Sequence, residues 1–65
     1  MPAQWTGDLV GKMHCNRIMF EDLANELGIT RAYVSMILNG KKDPKGMQEK
    51  MENAVDAIIQ RRAQK

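Results

Sequence analysis

The sequence predicts an all-α fold. Three observations carry the prediction. Ala, Leu, Ile and Met are plentiful while Trp, Tyr and Phe occur once each, a mixture that suits helices better than strands. Apolar residues recur at three- and four-residue steps along Phe20–Leu27 and again from Met47 to Ile59, the spacing of a helix face. Glycine, Asn-Gly or proline stands where each of these segments should begin or stop.

The first helix is expected at about 6–15. Met1–Gln4 has no periodicity and is expected to fray, with Trp5 large enough to fold back on apolar residues. Thr6 is read as the cap, with Asp8 in the first turn where the helix dipole favours an acid, and Leu9, Val10 and Met13 on one face. Asn16-Arg17 ends it. The second helix, 20–27, places Phe20, Leu23, Ala24 and Leu27 on one stripe, and Gly28 follows at once as a stop. Met19 stands where a cap belongs, although methionine has no side-chain oxygen for that role. Thr30 caps a third helix, 31–38, closed by Asn39-Gly40. The last and longest helix is expected over 44–63, with Asp43 as cap and Pro44 at its first position, where a missing N–H is not needed.

A chain of 65 residues buries only about 60% of its unfolded surface, so one domain spanning 1–65 is expected. Cys15 is the sole cysteine; with only His14 beside it, neither an internal disulfide nor a tetrahedral zinc site can form. No metal and no cofactor are expected. A catalytic role is not expected either, since no phosphate loop, metal cluster or nucleophile with a partner base is evident. No apolar stretch approaches the roughly 18 residues that span a bilayer, and the first residues lack a signal-peptide pattern, so no membrane association and a cytoplasmic location are expected.

The net charge of +2 is small, but it is unevenly placed. Thr30 to Lys42 carries Arg31, Lys41 and Lys42 with no acid, whereas Thr6 to Gly28 carries Asp8, Glu21, Asp22 and Glu26 against Lys12 and Arg17. Any surface for a polyanion is therefore local. Two helices joined only by Gly28-Ile29-Thr30 must cross steeply, which is helix-turn-helix geometry. Ala24 is small enough for close approach, Gly28 makes the turn, and Val34, Ile37 and Leu38 seat one helix on the other.

With these residues in place, Phe20 to Gly40 resembles the lambda repressor and Cro-like helix-turn-helix family, the xenobiotic-response-element type of regulator. The resemblance extends more loosely to Thr6–Cys15 and to the exit Asn39-Gly40-Lys41-Lys42-Asp43-Pro44. It implies a small four-helix, lambda-repressor-like domain in which helix 31–38 lies in the major groove of double-stranded DNA while helix 20–27 crosses above the backbone. Two departures stand out. The family often has Thr then Gln where this chain has Met19 and Phe20, so either Asn16 or Arg17 takes over a phosphate contact or binding is weaker than usual. No fifth helix is evident.

At about 100° per residue, Ala32, Ser35, Met36 and Asn39 point away from Val34, Ile37 and Leu38, with Arg31 and Tyr33 at the borders. The expected base contacts are Arg31, whose fork fits guanine O6 and N7, Ala32 and Met36 toward thymine methyls, and Ser35. The expected phosphate contacts are Thr30, Tyr33, Asn39, Lys41 and Lys42, with Arg17 and Lys12 further out. Phe20 is assigned to the core, and Arg61, Arg62 and Lys65 to a solvated cluster that complements the last helix's dipole. Because Ile58 and Ile59 are expected to project past a small core, Val55, Ile58 and Ile59 are read as a homodimer interface, and the site as roughly palindromic. The expected function is a transcriptional regulator, of repressor type and phage or mobile-element character; the alternative is an adaptor or inhibitor that turns the same fold toward a protein. No small-molecule substrate is evident.

Overall fold

The chain, in a computed structural model that describes residues 4–64, folds as four helices in the order α1 (Gln4–Cys15), α2 (Phe20–Leu27), α3 (Arg31–Leu38) and α4 (Met47–Ala63). Among the described residues there is no strand. Met1–Ala3, the greater part of the segment expected to fray, and Lys65 of the basic cluster lie outside the described residues, while Gln4, expected to fray with them, belongs to α1.

Two of the four helices begin where the sequence predicts. α2 starts after Met19, whose extended backbone makes it the cap residue. Its missing side-chain oxygen is offset from the other direction, because the Asp22 carboxylate accepts the Met19 N–H at 2.9 Å. Gly28 takes the left-handed conformation at φ 73, and the Ile29 N–H returns to the Ala24 carbonyl at 3.0 Å, closing the helix as a glycine C-cap should. Thr30 caps α3 by accepting the Tyr33 N–H on its hydroxyl oxygen at 3.1 Å. Gly40, at φ 81, ends α3 while the Lys41 N–H reaches back to the Met36 carbonyl at 2.8 Å.

The other two starts are corrections. α1 begins at Gln4, and Thr6 lies within it, 3% exposed. Thr6, Leu9 and Met13 are three and four apart and form the buried stripe, so this threonine faces inward instead of capping, and Asp8 falls beyond the first turn. α4 begins at Met47, three residues later than 44. Gly46 is left-handed at φ 79, a conformation that cannot sit inside an α-helix, so Asp43-Pro44 belongs to a preceding turn in which the Met47 N–H meets the Pro44 carbonyl at 3.3 Å.

The core is built from one stripe of each helix: Leu9 and Met13, Leu23 and Ala24, Val34, Ile37 and Leu38, and Met51, Ala54, Val55 and Ile58, together with Ile18 from the α1–α2 loop. Phe20, Leu27, Tyr33, Met47 and Ile59 pack partly buried against it. α4 packs against both α1 and α2. This placement overturns the premise for the dimer interface. Val55 is fully buried and Ile58 is 6% exposed within one chain, because α2 runs alongside α4 as far as its last turns, where Glu26 meets Arg61 and Asp22 meets Arg62. Of the three residues only Ile59 is partly open, and it too packs on the core.

Candidate nucleic-acid interface

The turn through Gly28-Ile29-Thr30 sets α3 with Val34, Ile37 and Leu38 inward. The opposite face is thereby left to Arg31, Ala32 and Met36, all exposed, and to half-buried Ser35. The four expected base-reading residues therefore share one face of one helix. The Asn39 side-chain amide donates to the Ser35 hydroxyl oxygen at 3.0 Å, and the Ser35 O–H keeps its own capacity to donate. Among the described residues, Met36, 39% exposed, is one of two large apolar side chains presented to solvent; the other is Met19, at 67%.

The residues expected at phosphates divide. Thr30 is exposed, its hydroxyl oxygen used as a cap and its proton free to be donated. Asn39, Lys41 and Lys42 are exposed at the far end of α3, and their backbone is pinned by N–H groups of Lys41 and Lys42 that both meet the Met36 carbonyl. Tyr33 is half-buried against the core. Lys12 stands apart: its Nζ lies 2.6 Å from the Asp56 carboxylate of α4, so its charge is spent between α1 and α4.

The same sorting extends to every cation. Lys12, Arg61 and Arg62 are paired with Asp56, Glu26 and Asp22. Among the described residues, Arg17, Arg31, Lys41, Lys42 and Lys45, and Lys50 on α4, have no acidic partner within ion-pair distance. Lys45 was missed in the sequence reading, although it lies three residues after Lys42 in the same polar run. The basic pair near the chain's end was also misread: Arg61 and Arg62 are not merely solvated but tie α4 to α2.

The start of α2 adjoins the reading face. A cleft of about 350 Å³ is lined by Ile18, Met19, Phe20, Glu21 and Arg31 together with Val10, Met13 and His14 of α1, and Phe20 also lines a shallow notch with Arg31, Ala32 and Ser35. Phe20 is half-buried; it serves the core with one edge and borders the reading face with the other. Among the described residues no group of three His, Cys, Asp or Glu is placed to hold a metal ion, and no helix is long and apolar enough to cross a membrane.

Two packed helices joined through a left-handed glycine, a buried Ala24-Val34-Ile37 seam and an acid-free outward face define a helix-turn-helix unit. The Helix-turn-helix family model matches residues 17–47, just under half of the chain. This segment is similar to the helix-turn-helix of the lambda repressor/Cro-like family, whose members are DNA-binding transcription regulators. Neither the curated proteins nor the solved structures give a match to the chain.

Proposed function

We propose that this protein is a sequence-specific regulator that reads the major groove of double-stranded DNA with α3. The observation that carries the reading is the division of α3 into a buried seam and an outward face of Arg31, Ala32, Ser35 and Met36, flanked by cations that the fold does not neutralise. Arg31 supplies the most specific contact, since a guanidinium can donate two parallel hydrogen bonds to one guanine edge. Ala32 and Met36 meet thymine methyls, and Ser35 donates from its hydroxyl. Thr30, Asn39, Lys41, Lys42 and Arg17, joined by Lys45, hold the phosphates and supply the salt-dependent part of the affinity.

The finer form of this reading is a repressor of phage or mobile-element type, acting as a two-fold pair on a roughly palindromic site. What supports it is the family resemblance. The pairing surface would have to lie outside Val55 and Ile58, which a single chain already encloses.

Selection of bound sequences from a random duplex pool, followed by comparison of Arg31→Ala with the parent on the selected site, tests the reading. Arg31→Ala should lose about 1–3 kcal/mol on that site and relax the preference at one base pair per half-site. If the parent enriches no sequence and binds all duplexes weakly and equally, the regulator reading fails and the outward face belongs to a protein partner.

A further inference from the structure

The α1–α2 loop holds a conformation its own residues do not favour. Arg17 is the one non-glycine residue with positive φ among the described residues, at 56, in the left-handed region that side chains other than Asn and Asp seldom enter. It occupies the place after α1 that glycine usually takes: the Arg17 N–H meets the His14 carbonyl at 3.2 Å and the Ile18 N–H meets the Met13 carbonyl at 2.8 Å, the paired bonds of a Schellman motif. Such a conformation persists when the surroundings over-determine it.

The surroundings here are one side chain from the other end of the chain. The Arg62 guanidinium donates to the Asn16 carbonyl at 2.8 Å and to the Arg17 carbonyl at 3.1 Å. Its second nitrogen lies 3.4 Å from Asp22 Oδ2, and that same oxygen accepts the Met19 N–H that starts α2. Arg62 thus grips both ends of a four-residue loop, placing a cation where the carbonyls of α1 end and cancelling the one carboxylate that the loop's own backbone engages. Ile18 and Met19 of the loop line the same cleft as Arg31, and Arg17 has no acidic partner among the described residues.

We propose that Arg62 is a positioning residue for DNA binding: it locks the α1–α2 loop so that the Arg17 side chain is presented to a phosphate beside the reading helix, the contact that Phe20 cannot make. This rests on the reading of α3 as the major-groove helix. In this proposal Arg62 acts through the loop and not on the duplex: three of its five N–H groups are engaged within the chain. Its effect on binding runs through Arg17, and this separates it from a residue that merely stabilises the fold.

The experiment is a double-mutant cycle on the selected duplex, using the full chain: parent, Arg17→Ala, Arg62→Ala and the double variant. Affinity is measured across a salt series, at a temperature where circular dichroism shows all four chains folded. Arg17→Ala should lower the slope of log K against log salt by about one. Arg62→Ala should lower it by a similar amount, with an affinity loss within about two-fold of that of Arg17→Ala, and the double variant should lose little more than either single change. An unchanged slope for Arg62→Ala, or additive losses in the double variant, overturns the proposal even where the melting temperature of Arg62→Ala falls. Absence of sequence-specific binding by the parent removes the reading on which it rests.

Discussion

Replacing Ile58 by alanine separates a core residue from an interface residue, since both roles invoke the same apolar side chain. Ile58 is 6% exposed in the single chain and belongs to the cluster that includes Leu23, Met51 and Val55. Removing three carbons from such a site costs about 3 kcal/mol, within the range for isoleucine truncation in cores. At roughly 0.05–0.15 kcal/mol per residue, a domain of this size has only about 3–10 kcal/mol to lose. The melting temperature should therefore fall by about 12–24 °C, taking 4–8 °C per kcal/mol for a small domain. The assay is thermal unfolding followed by circular dichroism at two protein concentrations, about 5 µM and about 500 µM, because an interface makes stability depend on concentration and a core does not. The fall should be the same at both. A parent whose melting temperature climbs with concentration, together with a deficit in Ile58→Ala that disappears at the higher one, would refute the placement of Ile58 inside one chain.

Further outcomes follow from the turns and the exposed cations. Gly28→Ala meets no atom within 4 Å of the added carbon, so its cost is the left-handed backbone at φ 73 less the entropy lost from the unfolded chain; a destabilisation of about 1 kcal/mol is expected in urea unfolding. Gly11→Ala, in the body of α1 with open space around the new carbon, should stabilise by about 0.5–1 kcal/mol in the same measurement. Lys41→Ala and Lys42→Ala should each weaken binding to all duplexes alike and reduce the salt slope by about one in a titration series; altered sequence preference at constant slope would move that lysine to the base edges.

The parts of the fold legible in the sequence are those decided locally. α2 and α3 could be bounded because a periodic stripe, a left-handed glycine and a hydroxyl cap fall within twenty residues of one another. Two starts were misread because a local signal had a stronger neighbour. Thr6 looks like a cap until its spacing to Leu9 and Met13 is considered, and Asp43-Pro44 looks like a helix entry until Gly46 is given its usual weight as a breaker. What depends on distant pairing was not legible. The periodicity of α4 shows which side is apolar but not how far α2 extends along it, so Val55 and Ile58 were sent outward. Arg61 and Arg62 looked like a solvated cluster because their partners, Glu26, Asp22 and the carbonyls of Asn16 and Arg17, stand 35–46 residues away. The outward face of α3 was read correctly as a face, because a helix wheel needs only the helix. That Asn39 donates to the Ser35 hydroxyl oxygen was within reach as well, at four-residue spacing on the same helix end.

The most direct test of the central claim is a methylation-protection footprint on the selected duplex, because guanine N7 opens to the major groove and adenine N3 to the minor groove. If α3 reads the major groove, the parent protects guanine N7 within the site and leaves adenine N3 reactive, and Arg31→Ala restores reactivity at one guanine per half-site. Protection confined to adenine N3, or no protection at a saturating concentration of protein, would contradict the account.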